Sequence, residues 1–294
     1  MREEKKHEAV MVSEVINNLI INSNGKYLDC TFGLGGHTKA ILNQLSSAGS
    51  LLAIDRDSSS LNSASKISRK DDRFHFSISA FSNIDDIEEA TNLDGILADL
   101  GISSFQLDEA RRGFSFNKEA PLDMRMDQTN GLTAEQWINT ANKKELEAVF
   151  WNLGEARNSR RIVRKVIERR QVKALSSTKE LADLIISCTP RKTKKHPATN
   201  IFRAIRMHIN NEVQELRNLL IKSENALRLG GRIAVISFHS IEDRIVKRFF
   251  QGKDRSNESL LKVITKKPIK PSEEEIKNNP RSRSAILRVA EKVC

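Results

Sequence analysis

The sequence predicts a doubly wound, Rossmann-like α/β sheet interrupted by an inserted all-helical domain. Three observations carry that expectation. A strand, a glycine turn, a helix and a second strand follow one another from Lys26 to Asp55. Further apolar strand runs come later in the chain, and between the fourth and the fifth lies a long stretch of purely helical spacing.

Lys26-Tyr-Leu-Asp29 runs apolar into a carboxylate, glycines fall at 33, 35 and 36, and Thr38 to Leu45 has helical spacing through Ala40, Ile41 and Leu45. Leu51 to Ile54 reads as the second strand and ends at Asp55, 22 residues beyond Gly33. That spacing is close to the roughly 20 residues that set a carboxylate on a bound ribose in such sheets. Phe74, Phe76 and Ile78 alternate as a third strand, and Leu93 to Leu100 is a buried fourth. From Leu132 to Leu229 the pattern is helical. Thr133-x-x-Gln136 and Ser177-x-x-Glu180 have capping-box form, and Gly154 and Pro190 punctuate the run. Gly230-Gly231 then precedes the strand-like Arg232 to Ser237, a helical Ile241 to Phe250 and two late apolar runs, Leu260 to Ile264 and Ala285 to Ala290. Lys266 to Arg283, with three prolines and a cluster of charges, reads as a surface loop. The expected domains are residues 1–110 with 230–294, and an inserted, basic, mainly helical domain over 111–229.

Composition excludes several classes. With 294 residues, 38% hydrophobic and 30% charged, the chain is long enough for a real core and too apolar for disorder. No apolar run approaches the roughly 20 residues of a membrane span, and MREEKKHEAV lacks the apolar centre of a signal peptide, so a cytoplasmic protein is expected. Cys30, Cys188 and Cys294 are odd in number and lack metal-ligand spacing; they read as reduced thiols, and no metal is expected. The net charge of +11 is concentrated. Between Glu155 and Asn211 fifteen Lys and Arg face four acids, which accounts for the whole excess. A solvated helix face and a phosphate-tracking surface both fit such a run, and its concentration favours the second.

The glycine loop has neither G-x-G-x-x-G spacing nor the Gly-Lys-Ser/Thr ending that meets phosphate. It is preceded by a carboxylate and holds no basic residue before Lys39. That chemistry suits a nucleoside with cationic groups, as in the ammonium and sulfonium of S-adenosylmethionine. Asp99 closes the fourth strand where such folds expose residues to a substrate. Phe81, just after the third strand, could lie on an adenine ring or in the core, and His239 could serve the site or a local hydrogen bond. Gly101-x-Ser103 lacks the second glycine of a nucleophile elbow, and His239-x-x-Glu242-Asp243 is no recognised ligand spacing. A non-catalytic RNA-binding protein and a nicotinamide-dependent oxidoreductase remain open; the first would not need Asp29, the loop and Asp55 together, and the second would want a third spaced glycine.

Several blocks together resemble the MraW (RsmH) family: Asp29 to His37, Asp99 to Asp108, Arg112-Gly-Phe-Ser-Phe116, Pro121-Leu-Asp-Met-Arg-Met126, His196-Pro-Ala-Thr199, Ser237-Phe-His-Ser240 and Asn279 to Ser284. The Arg112 to Met126 stretch is the most distinctive. The resemblance covers nearly the whole chain. It implies a class I methyltransferase sheet with a helical insert, S-adenosylmethionine as cofactor, and methylation of a cytosine N4 amine in the decoding region of 16S rRNA, within the small ribosomal subunit. It also implies cofactor contacts at Gly35, Gly36, His37, Asp55, Phe81, Asp99 and Gln106. An acceptor that stabilises the positive charge developing on a conjugated amine favours its attack, and Asp99 is the candidate catalytic acceptor. RNA contacts are expected from Arg160, Arg161, Arg164, Lys165, Arg203 and Arg206. Asn200 stands where the family commonly has Arg after His-Pro-Ala-Thr.

Overall fold

The computed structural model describes residues 9–189, 196–253 and 260–294. The chain divides into two compact units, Met1–Gly101 with Gln214–Cys294, and Ile102–Val213.

The first unit is built on seven strands: β1 (Lys26–Asp29), β2 (Ser50–Asp55), β3 (Phe74–Ile78), β4 (Leu93–Asp99), β5 (Leu227–Ser237), β6 (Leu261–Val263) and β7 (Ile286–Lys292). They are ordered β3-β2-β1-β4-β5-β7-β6. The first five strands run parallel, while β7 is antiparallel to both β5 and β6. The order reverses between β1 and β4, which is where a doubly wound sheet opens a crevice at its carboxyl edge. Parallel strands covered on both faces must be apolar throughout, and Leu93 to Ala98 is buried without interruption. Helices α1 (Val12–Leu19), α2 (Gly36–Leu42), α3 (Leu61–Ser68), α10 (Glu212–Ala226), α11 (Ser240–Phe250) and α12 (Glu273–Asn278) accompany the sheet, α10 belonging to this unit from Gln214 onward. The core brings Val15 and Leu19 together with Phe32, Ile41, Leu51, Leu97 and Ile236.

Three details differ from the sequence expectation. Lys266 to Arg283 is not simply a loop: Ser272 caps α12 by accepting from the Glu275 N–H, and three glutamates occupy its first turn, where they favour the helix dipole. The Glu275 carboxylate then accepts from the Met11 N–H at the start of α1. Strand β5 begins at Leu227 and continues through Gly230-Gly231 rather than after it, with an irregular register opposite Leu93 and Gly95. Helix α1 is an addition, an amphipathic segment that buries Val15 and Leu19.

The second unit is helical: α4 (Ser104–Asp108), α5 (Ala134–Thr140), α6 (Lys143–Asn152), α7 (Ser159–Val172), α8 (Thr178–Ser187) and α9 (Ala198–Ile209). Its core gathers Leu146, Phe150, Ile162, Val166, Ile185, Ile201 and Ile205. The Thr133 capping box forms in full. Ser177 caps α8, but the Glu180 carboxylate turns to the Ser176 N–H instead of closing the box. Pro190 lies outside the described residues. The unit's limits, Ile102 and Val213, fall earlier at both ends than the expected 111 and 229.

Candidate active site

Consecutive strands β2, β1 and β4 end in Asp55, Asp29 and Asp99, so three carboxylates line the carboxyl edge at the switch point. The loop after β1 is shaped by Gly33 (φ 55°) and Gly35 (φ 78°), left-handed conformations that glycine adopts without a Cβ penalty. At Gly35 a Cβ would also come within 2.9 Å of Ile67 and 3.0 Å of the Phe32 ring. Asp55 grips this loop directly. Its Oδ2 accepts from the Gly33 N–H at 2.7 Å, and its Oδ1 accepts from the Asp57 N–H at 2.9 Å.

Asp29 is fully buried and accepts from the Thr38 hydroxyl (2.8 Å) and the Thr31 N–H (3.1 Å). The Thr31 hydroxyl in turn accepts from the Asp99 N–H at 2.7 Å, tying the ends of β1 and β4 together. His37, at the start of α2, is also buried and sets its Nε2 3.5 Å from Asp99 Oδ2. Sequence reasoning misses Thr31 and Thr38; a hydroxyl two or nine residues after a strand-end aspartate is too common a signal to stand out.

Burial governs the electrostatics. It raises the Asp29 carboxyl pKa against the opposing pull of His37 and the hydrogen bonds from Thr38 and Thr31. It pushes Asp55 up to about 6 despite its two backbone donors. For His37 burial works to lower the pKa, yet the Asp99 carboxylate, with Asp29 and Glu275, overrides it and the net shift is upward. A site crowded with carboxylates in low dielectric gains from a positively charged ligand. Two buried atoms also have spare capacity: Asp99 Oδ1 and His37 Nδ1 have no hydrogen-bond partner among the described residues. Buried polar atoms of this kind ask for a ligand or water. The donor set fits a cofactor with an ammonium, a sulfonium and ribose hydroxyls.

The family model for the MraW methylase family matches residues 4–293. The chain belongs to that family. It is 46% identical, over 98% of its own length and 99% of the relative's, to "Ribosomal RNA small subunit methyltransferase H" of Caldicellulosiruptor bescii. Among solved structures it overlaps an rRNA methylase from Streptococcus thermophilus (10% identity, 96% of this chain and 94% of that one, TM-score 0.45). TrmN from Thermus thermophilus overlaps similarly (10% identity, 96% and 48%, TM-score 0.47). Overlaps this loose add nothing to the family match.

The other expected site residues of this MraW-family chain fall in different settings. Gly36 opens α2 beside His37. Phe81 is partly exposed and begins a 3-10 turn, Phe81–Asp86, two residues after Ser79 donates its N–H to the Asp55 carbonyl. Gln106 belongs to the helical unit, where it is buried and its Oε1 accepts from the Ser103 N–H in a capping box. His239 acts as the N-cap of α11, its Nδ1 accepting from the Glu242 N–H.

The basic residues divide sharply. Arg160, Arg161, Arg164 and Lys165 are exposed on α7, while Ile162, Val163 and Val166 bury the opposite face. Glu168 pairs with Arg164 and Lys165, and no carboxylate among the described residues pairs with Arg160 or Arg161. Arg203 is largely covered, donating to the Leu153 carbonyl with Glu155 3.6 Å away. Arg206 differs from its expected role: it is buried and held in a bidentate pair with Glu212, both distances 2.7 Å, so its charge is neutralised inside the helical unit. The distinctive Arg112 to Met126 stretch is likewise turned inward. Arg112 is buried, its Nη2 donates to the carbonyls of Arg125 (3.0 Å) and Met126 (2.9 Å), and Asn210 bridges the Met126 N–H and the Met124 carbonyl. Gly113 (φ 72°) makes the turn possible, since a Cβ there would lie 2.4 Å from the Pro121 carbonyl oxygen.

Proposed function

We propose that this chain methylates the N4 amine of a cytosine in the decoding region of 16S rRNA, within the small ribosomal subunit, with S-adenosylmethionine as methyl donor. Three carboxylates on consecutive strand ends around a glycine loop that lacks phosphate-binding features carry this reading. They accompany an exposed basic helix and membership in a methylase family with an rRNA methyltransferase relative. A nicotinamide cofactor would set its pyrophosphate against this acidic edge, at an electrostatic cost.

When bound, S-adenosylmethionine supplies an electrophilic methyl carbon attached to sulfonium. The protein holds and orients. Asp55, already fixing the loop, has lone pairs left for ribose hydroxyl donors, and Asp29 with the loop backbone offsets the ligand's positive charge. Displacement at methyl carbon requires the amine in line behind it, so positioning and exclusion of water contribute most of the rate. The lone pair of a cytosine N4 is conjugated with the ring. Asp99 Oδ1, buried and without a protein donor, can accept an N4 hydrogen and stabilise the positive charge that develops there. After transfer the nitrogen is strongly acidic, and its proton passes to water or to this carboxylate without a dedicated strong base.

The test is methyl transfer from labelled S-adenosylmethionine to small subunits that lack the modification, followed by mapping of the modified nucleotide. Label on a single cytosine N4 in the decoding region is the expected outcome. Label on another base, or on protein, overturns the substrate assignment.

A further inference from the structure

Two of the distinctive sequence blocks, Arg112 to Phe116 and His196 to Thr199, lie in the helical unit, which joins them through their rings. Phe116 stacks on His196 with centroids 4.4 Å apart and planes 16° from parallel. On its other side Phe116 meets the buried Phe202 edge to face at 5.1 Å. The three rings form a ladder that starts in the core and ends at an exposed imidazole. His196 is held in place. Its Nδ1 accepts from the Ala198 N–H at 3.3 Å at the start of α9, which leaves Nε2 as the protonated nitrogen and fixes the ring plane.

A second ladder in the same unit shows what the first lacks. Phe150, Trp137 and His208 also climb from core to surface, with Trp137 and His208 4.6 Å apart. That one closes on itself, because Glu145 takes the Trp137 indole N–H at 2.6 Å and lies 3.6 Å from His208 Nε2. A carboxylate at its end repels phosphate. Among the described residues no carboxylate pairs with His196, which sits within the stretch from Glu155 to Asn211 that carries the chain's full positive excess.

We propose that the Phe116–His196 pair, within the helical unit, is a stacking platform for an unpaired base of the RNA substrate. Every base has a π-face, and a fixed, flat, solvent-facing ring backed by a second aromatic gains stacking at little entropic cost. The exposed cations of α7, in the same unit, supply attraction to the strand without sequence preference. The platform rests on the reading of the substrate as RNA; it contributes to capture of the strand and leaves the chemical step alone.

Binding of the full chain to a short oligoadenylate, and to an abasic phosphodiester chain of the same length and charge, tests this. The native chain is expected to prefer the oligoadenylate. His196→Ala should lose that preference, with affinity for the oligoadenylate falling roughly 5- to 150-fold, the range for one stacked base, while abasic binding stays unchanged. His196→Phe, which keeps a flat ring, should restore it. Phe116→Leu, with folding checked by thermal unfolding, should weaken it by removing the backing ring. Equal affinities for native and His196→Ala chains, or a His196→Phe variant as weak as His196→Ala, overturn the platform. Absence of any base preference in the native chain does the same. A native chain that prefers bases yet methylates no rRNA would instead leave the platform standing and overturn the substrate assignment.

Discussion

The strand-end carboxylates of the sheet unit and the arginine of the Arg112 to Met126 stretch are both charged and enclosed, but they differ in what they are bonded to. Arg112 is turned onto two carbonyls of its own loop, and Asn210 fastens that loop to α9. At the strand ends, Asp55 is bonded to the glycine loop while Asp99 Oδ1 and His37 Nδ1 face no protein partner. The first region uses its polar groups to hold a shape. The second holds a shape and keeps polar atoms in reserve. Sequence distinctiveness therefore does not separate architecture from chemistry; the sheet edge gathers carboxylates that suit a cationic ligand, whereas Arg112 directs donors at its own loop. The arginines of the helical unit repeat the lesson, with Arg206 neutralised inside and the α7 cations left in solvent.

The largest expected effect lies on the solvated side of that divide. Replacing Arg160, Arg161, Arg164 and Lys165 by Glu should lower the log-log salt slope of substrate binding by about three, at roughly 0.7 to 0.9 for each phosphate no longer neutralised. At about 0.1 M salt the affinity should drop on the order of a hundredfold to a thousandfold. Titrations of small subunits across a salt series, with cofactor affinity as the control, check this, and an unchanged slope would make α7 a merely solvated face.

Next comes the inward side. Arg112→Met should lower unfolding stability by about 2 to 4 kcal/mol, because two carbonyls, that of Met126 buried, lose a charged donor. Urea denaturation with helical signal measures it. A variant of native stability but abolished activity would move Arg112 out of the architecture and into the site.

For Asp55→Ala the expected loss of S-adenosylmethionine affinity is about 1.5 to 3 kcal/mol, the range for hydrogen bonds to a charged group. Its pH dependence sharpens the assignment. With its folded pKa raised to about 6 from 3.8, Asp55 takes up a proton on folding, so its effect is to reduce stability as pH rises through that window, levelling off above it. A ribose hydroxyl donates to the ionised form, so cofactor affinity should rise across the same window with release of a proton. Calorimetry between about pH 5 and pH 7.5, repeated with Asp55→Asn, should give a steeper rise for the native chain than for the variant. Equal slopes for both remove the ribose role.

The smallest effect is expected at Asp99→Asn, where turnover at saturating cofactor should fall at least about tenfold, roughly 1.4 kcal/mol. Single-turnover methylation reads it. A loss confined to cofactor affinity would make Asp99 a binding residue alone.

Much of the sheet was legible because its strands obey strong rules: continuous apolar runs for parallel strands, a glycine turn after β1 and an aspartate at the right distance. What escaped had weaker signals. Helix α1 carries β-branched and asparagine residues and no side-chain cap, so only its buried Val15 and Leu19 betray it. Helix α12 was hidden by prolines on either side, though Ser272-x-x-Glu275 has the form of a cap. The role of Arg206 was invisible for another reason. Its partner Glu212 lies six residues on, past the end of α9, and only the folded turn brings the pair together.

Insertion of the helical unit between β4 and β5 also imposes a schedule on synthesis. About 130 residues separate the end of β4 from the start of β5, and at roughly 5 to 20 residues per second they take on the order of ten seconds to make. Throughout that interval β4, the strand buried from Leu93 to Ala98 in the finished sheet, has no β5 to pair with on one edge. An unpaired apolar strand invites pairing with other chains. The helical unit, contiguous in sequence and rich in local contacts, can close on its own while the sheet waits. Newly made protein should thus be most vulnerable to aggregation in a narrow period before β5 emerges, and least dependent on chaperones for the helical unit.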